Sequence, residues 1–257
     1  MKDLHIFDFD RPITQDLIPD EFNNPFGLHV PEIGRIAAVQ FQDYIRAESP
    51  SWDYDFETRP GKMFGVLVVQ VDEQTYGYLG AVSGQLSKSS PCLQLSPSVF
   101  DESLNNHFFN KEMSELTLLC NEINKCRDQQ LLSVLKDNRK LKSQSIQQRI
   151  FQYTSFQNIR GEVKNVIQIF KDSQSGNPPA AAGECGAPKL IQSAITHRLA
   201  PIAIAEFWWG NSLNTEDRQH KQYYPACKSK CRPILEFLLD DDTIYASANP
   251  TLAQGKS

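Results

Sequence analysis

The sequence predicts an α/β fold, a sheet flanked by helices with a long helical hairpin inserted into it, and three observations carry that expectation. Two runs rich in β-branched and aromatic residues, Met63–Val71 and Tyr76–Val82, flank a polar turn at 72–75 and read as a β-hairpin. Their nearly continuous apolar character implies strands buried on both faces. From Asp101 to Arg160 there is neither Gly nor Pro, and apolar residues keep three- and four-residue steps. With that stretch set aside, the elements run helix, strand, strand, helix, strand, helix, an order that packs helices against a sheet.

Taken in order, the chain enters through an irregular Pro- and Asp-rich segment, Asp10 to Pro31. In PEIGRIAAVQFQDYIRAE, the residues Ile33, Ile36, Ala37, Val39, Phe41 and Ile45 approach helical spacing behind Pro31, which predicts a helix over 31–47. The hairpin follows. In the insertion, 101–172, Leu116, Leu119, Cys120 and Ile123 form one stripe, and Leu131, Val134, Leu135 and Leu141 another. Phe156, Ile159, Val163, Val166, Ile167 and Phe170 continue the helical steps, while DNRKLKSQSIQQR between them is a turn or an exposed part of a helix. A helical hairpin is expected here, with heptads too irregular for an autonomous coiled coil, and it is the candidate surface for a homodimer. SQSGNPPAAAGECG is a loop, Pro188 opens a helix in PKLIQSAITHRL, PIAIAEFWW is a buried strand, and a last helix spans Cys227 to Leu239. The expected domains are a discontinuous α/β core (1–100 with 173–245), the inserted hairpin (101–172), and a linker (246–257), as if another domain followed.

Composition narrows the function classes. With 40% hydrophobic and 22% charged residues in 257, this is an ordinary globular composition. No apolar run is long enough to span a membrane, and MKDLHIFDFDRPITQDL has acidic residues where a secretory signal needs an apolar block, so a cytoplasmic location is expected. A net charge of −5 argues against indiscriminate wrapping of nucleic acid. The charge is uneven: residues 1–100 hold 14 acidic and 7 basic side chains, residues 101–172 hold 9 and 11, which leaves room for a local basic face. Six cysteines are too few for a disulfide framework and read as thiols or ligands.

Three groups of residues are candidates for chemistry. Cys185 in GECGAP and Cys227 and Cys231 in YPACKSKC each sit at a predicted helix start, where the helix dipole favours thiolates, and together they make a plausible zinc set. The competing reading is three small half-buried thiols, cysteine being a commonly buried residue. Disulfide pairing of Cys227 with Cys231 is disfavoured, because cysteines one helical turn apart rarely meet the required geometry. In the second group, Asp8 and Asp10 of LHIFDFDRPIT imitate the Asp-x-Asp of haloacid-dehalogenase phosphotransferases, but Arg11-Pro12 follow where Gly-Thr belongs, so they read as solvated carboxylates. The third group interleaves aromatics and cations: Trp209, Arg218, His220, Lys221, Lys228, Lys230 and Arg232 are the candidate RNA-binding set. Against this, FWW at a strand end commonly fills a core, and strand alternation predicts that one of Trp208 and Trp209 faces outward. No Gly-rich phosphate loop, Gly-x-Ser-x-Gly elbow or His-Glu-x-x-His is present.

The cysteine arrangement resembles the zinc-dependent nucleobase deaminases, which place a His- or Cys-x-Glu motif at one helix start, then a strand, then Pro-Cys-x-x-Cys at the next. The resemblance implies a deaminase-like mixed sheet. The departures are a Cys-x-x-x-Cys spacing, Ala226 between Pro225 and Cys227, and Ala187 where the proton-shuttling Glu belongs, with Glu184 on the wrong side of Cys185. A site with these departures can still bind zinc without deaminating, and a zinc-binding deaminase-like domain, active or degenerate, is one alternative. On a larger scale, GECGAPKLIQSAITHRLAPIAIAEFWWG and YYPACKSKCRPIL, with NPFGLHVPEIGRIAAVQFQDY, GYLGAVSGQL and IRGEVKNVIQIF upstream, look like the long N-terminal region of some bacterial RluA-type pseudouridine synthases. That family converts uridine to pseudouridine in ribosomal or transfer RNA through an Arg-Leu-Asp motif. Here Arg198-Leu199 is followed by Ala200, and Arg-Leu-Asp occurs nowhere. The resemblance therefore implies a noncatalytic module that helps a synthase engage RNA, with 246–257 as the linker to a C-terminal catalytic domain missing from this chain. A protein-interaction scaffold built on the hairpin is a further alternative.

Overall fold

The computed structural model describes residues 4–86, 94–100, 106–212 and 218–240. It is a mixed α/β structure with a four-stranded sheet and a small two-stranded one. The linker read at 246–257 lies outside the described residues.

The first helix, α1 (Glu32–Glu48), starts behind Pro31 and buries Ile33, Ala37, Phe41 and Ile45, one residue per turn on a single face. The hairpin strands are β2 (Lys62–Gln70) and β3 (Tyr76–Val82), close to the expected spans. Asp72 shapes their turn, its Oδ1 accepting hydrogen bonds from the N–H groups of Gln74 (3.1 Å) and Thr75 (2.9 Å). A two-residue strand, β1 (Phe7–Asp8), joins β3, and β6 (Ala200–Trp209) joins β2, for a strand order β1-β3-β2-β6.

Every strand pairing in this sheet is antiparallel, where a mixed sheet was expected. The reason is topological. β3 and β6 both run against β2, and β2 sits between them, so like-directed strands are never neighbours. Alternation along the strands divides the core into two layers. Phe64, Val66, Val68, Ala203, Ala205 and Phe207 face α1, with the Phe41 ring 6.2 Å from Phe64 and 6.3 Å from Phe207. Leu67, Val69, Leu79, Ala81 and Ile204 face the other layer, formed by α5 (Gly186–Thr196), α6 (Lys228–Leu239) and shorter elements.

Within the insertion, α2 (Asn106–Lys125) and α3 (Gln129–Tyr153) are joined by three residues. Asp128 caps α3, accepting from the N–H groups of Gln130 and Leu131, which stops α2 and restarts the helix. The polar stretch DNRKLKSQSIQQR is thus helix interior, and its Lys142 bridges back to Glu112 (3.1 Å) and Glu115 of α2. The helical steps of 156–170 do not become one helix. They resolve into β4 (Ser155–Gln157), β5 (Val163–Asn165) and α4 (Val166–Asp172). Asn158 accepts from the N–H groups of Arg160 and Glu162 to close a turn, and Asn165 forms a capping box with Gln168, so two local side-chain devices cut the pattern. Phe156, Val166, Ile169 and Phe170 nevertheless enter the same buried layer as α5 and α6.

The outer edge of β6 is covered. Trp208 exchanges backbone hydrogen bonds with Lys221 and Gln222, Tyr224 N–H donates to the Glu206 carbonyl, and the Asn23 amide pairs with the backbone of Ile204. No described helix is long and apolar enough to cross a membrane.

Candidate metal centre

Two motifs 42 residues apart in sequence, from Cys185 to Cys227, arrive at one place because both helices that they open pack on the same sheet face. Cys185 is the N-cap of α5 and Cys227 the N-cap of α6, and Cys231 lies one turn into α6, fully buried. The three thiols influence one another, Cys231 acting as hydrogen-bond donor toward both Cys185 and Cys227. This bond is the largest influence on all three. It lowers Cys227 to about 4, helped by the Ser229 hydroxyl and the N–H groups of Lys230 and Ser229 at the open helix end and opposed by burial. It also lowers Cys185, against burial and the charges of Glu206 and Cys227. Cys231, which supplies the proton to both neighbours, is driven upward. The arrangement thus favours ionisation of Cys227 and Cys185 over that of Cys231.

Beside the sulfurs stands Glu206, in the middle of β6. Burial raises its carboxyl to about 7, opposed by a 3.1 Å hydrogen bond from Ala187 N–H to Oε1 and by the charge of Arg218. Two glycines make room for it: a Cβ on Gly186 would lie 2.8 Å from Oε1, and one on Gly65, its partner across β2, 3.2 Å from Cγ. A recess of about 10 Å³ adjoins Glu206, lined by Asn23, Pro25, Ile204 and Tyr224, with room for a single water molecule.

The donor set fits zinc, which prefers thiolate ligands in groups of three or four at deprotonated sulfur. As the side chains lie, however, no group of three or more His, Cys, Asp or Glu among the described residues is placed to hold a metal ion. A metal held there would supply Lewis acidity, and the chain's own part would be to favour the thiolates of Cys185 and Cys227.

Glu184, noted in the sequence for its place next to Cys185, is committed elsewhere. Its carboxylate takes the Lys189 ammonium at 3.2 Å and the Ser98 hydroxyl at 2.6 Å. Lys189 is 3% exposed and also donates to the carbonyls of Val82 (3.2 Å) and Gly84 (2.8 Å). The pair pins the end of β3 to the start of α5.

The candidate RNA-binding residues separate into three places. Trp209, His220 and Lys221 lie together, the Trp209 and His220 rings 4.5 Å apart and the Lys221 ammonium 5.8 Å from the indole centroid. Trp209 and His220 line an open cleft of about 740 Å³ with Trp52, Tyr54, Phe56 and Arg59. Arg218 lies over Trp208 and Tyr224, at 5.2 and 5.5 Å. Lys228, Lys230 and Arg232 follow Cys227 on α6, with Arg232 over the Phe26 ring. The expectation that one tryptophan faces outward is overturned, since both are 7% exposed. β6 is covered on both sides, Trp209 by the α1 layer and Trp208 by Arg218 and the close approach of Gly61.

Sequence reasoning missed Glu206 and Lys189 as site residues. The available signal for Glu206 was a lone carboxylate inside the apolar run PIAIAEFWW, since an unpaired charge in a buried strand is costly without a task. Comparison with models of known families, with curated proteins and with solved structures finds no match to this chain.

Proposed function

We propose that this chain is a zinc-holding, noncatalytic module of an RluA-type pseudouridine synthase, which helps engage ribosomal or transfer RNA for a synthase domain that the chain does not itself contain. The observation that carries the zinc reading is that GECGAP and YPACKSKC open two helices, α5 and α6, packed in the same buried layer. The strand order β3-β2-β6, with a cysteine at the start of each of the two helices flanking β6, supports a deaminase-like core carrying an inserted helical hairpin. Ala187 in place of the proton-shuttling Glu supports a core without deamination. Arg218 and Lys221, held over the rings of Trp208, Tyr224 and Trp209, keep cations at this surface and support contact with RNA phosphates.

Metal analysis of the purified chain tests the first part. One zinc per chain, lost in Cys227→Ser, is the expected result, and metal-free protein of full thermal stability refutes it. For the RNA part, fluorescence anisotropy with a ribosomal RNA stem-loop should show affinity falling steeply with salt. Lys228→Ala with Lys230→Ala should flatten that slope by about one unit for each phosphate no longer neutralised. Binding indifferent to salt refutes it. The exposed Leu131, Val134 and Leu141 of α3 also favour pairing of two copies through the inserted helices. Light scattering should report a dimer that Gln at these three positions converts to a monomer; a wild-type monomer at micromolar concentration removes this part.

A further inference from the structure

Resting on the RNA reading above, we propose that the open cleft beside Trp209 binds a single unstacked nucleotide whose base carries an amino group, in preference to uridine. The cleft, of about 740 Å³, falls within the range of small-ligand sites, about 300–1,000 Å³. One wall is the segment WDYDFE, 52–57, and the other is the end of β6 with Gly210, Asn211 and His220. Hydrogen bonds staple the two walls together. Asn211 Nδ2 donates to the Glu57 carbonyl at 2.6 Å, and Gly61 N–H donates to the Asn211 carbonyl at 2.9 Å. The cleft is therefore formed before a ligand arrives.

Alternate residues of WDYDFE supply two chemistries. Trp52, Tyr54 and Phe56 are half-buried against the α1 layer, while Asp53, Asp55 and Glu57 are exposed. Arg59 and Lys62 already lie over the Tyr54 ring, at 5.3 and 5.4 Å. That disfavours an added cation and leaves Trp52 and Phe56 as surfaces for a base. Asp55 is committed inside the loop, accepting from the Thr58 hydroxyl at 2.5 Å and the Glu57 N–H at 2.9 Å. Glu57 stands at the rim as an acceptor, matched to the amino hydrogens of a base and opposed to the carbonyl edges of uracil.

The His220 end is basic. Its Nδ1 accepts the Gly210 N–H at 3.0 Å, so the hydrogen of the neutral ring sits on Nε2 as a donor. Burial, then the charges of Lys221 and Arg46, hold the ring below its ordinary protonation range. Arg46 lines the cleft and gives one nitrogen to Asp43 at 2.7 Å, which leaves further donors of its guanidinium. Lys221 sits 5.8 Å from the Trp209 ring centroid. A nucleotide matches each part: phosphate at Arg46, His220 and Lys221, base on Trp52 and Phe56, amino group at Glu57.

Titration of the whole chain with mononucleotides tests this, read by tryptophan fluorescence and by the His220 ring signals in NMR spectra. AMP and CMP should quench saturably and move the His220 titration upward, because a bound anion offsets the two cations. UMP should bind about tenfold more weakly, the effect of one lost hydrogen bond, and so should adenosine, which lacks the phosphate. Glu57→Lys, at an exposed position, should bring AMP and UMP to equal affinity. Trp52→Ala should weaken AMP about 5–150-fold, the worth of stacking one base. Since Trp52 also stacks on Phe64 at 6.3 Å, Trp52→Phe, which keeps a ring and should bind AMP nearly as wild type does, guards against misfolding. AMP that binds no better than UMP, or not at all, overturns the cleft assignment, and salt-dependent binding of the RNA stem-loop would then still uphold the RNA reading. AMP binding at the cleft with no binding of the stem-loop keeps the cleft and overturns the RNA reading.

Discussion

Replacing Lys189 with methionine keeps the length of the side chain and removes its charge from a site where only 3% of it meets solvent. The loss strands three acceptors at once: the carbonyls of Val82 and Gly84 and the Glu184 carboxylate. Breaking a buried ion pair by deleting one partner costs about 3–5 kcal/mol, mostly as the desolvated charge left behind. Glu184 is 22% exposed and keeps Ser98, so the lower end, about 3 kcal/mol, applies. With an m-value near 3 kcal/mol/M, at the upper end for small proteins, the urea midpoint should fall by about 1 M. Adding Glu184→Gln to Lys189→Met should recover about 1–2 kcal/mol, because the second change removes the orphaned charge. A Lys189→Met loss below about 1 kcal/mol, or a cycle that is strictly additive, would falsify the view that this pair pins β3 to α5.

The cluster makes further predictions for metal-free protein. Alkylation of Cys227 by iodoacetamide should follow a pH profile with its midpoint near about 4, not the ordinary ~8.5, and Cys231→Ala should move it upward because the Cys231 hydrogen bond is the main cause; a wild-type midpoint above about 7 refutes this. A thiol so depressed contributes stability that is complete above its unfolded value and fades as pH falls through about 4. Glu206 works in the opposite sense. Raised to about 7, it binds an extra proton in the folded state between roughly pH 4.3 and 7, so its contribution declines as pH rises through that window. Urea titrations should therefore show wild type losing about 2–3 kcal/mol relative to Glu206→Gln between pH 5 and pH 7.5, and parallel curves would count against it. Gly186→Ala forces a methyl to 2.8 Å from Glu206 Oε1 and should cost about 1–3 kcal/mol with weaker zinc retention, checked by thermal melts and metal analysis; an unchanged variant would show that the carboxylate is free to move.

Much of the scaffold could be read from residue order alone. α1 behind Pro31, the β2–β3 pair around Asp72, α5 at GECGAP, β6 in PIAIAEFWW and α6 at YPACKSKC all follow from period, propensity and helix-start chemistry, which are short-range properties. Residues 155–172 went the other way. There the apolar spacing was helical, yet Asn158 and Asn165 used their side chains to bond nearby backbone and broke the run into strand, turn, strand and short helix. The tryptophans misled for a related reason: alternation assigns two faces to a strand but does not say whether both are covered.

Residue order by itself determined that Cys185, Cys227 and Cys231 would stand at helix starts, because proline, glycine and apolar period mark those starts locally. Only the tertiary structure decided that the two helix starts converge in one buried layer and that Glu206 reaches the first of them. The position of that carboxylate depends on β6 pairing with β2, on Gly65 lying opposite it, and on Gly186 leaving it space, contacts made between segments up to 141 residues apart. Such contacts are set by which strands become neighbours, a global outcome of packing that no local pattern encodes.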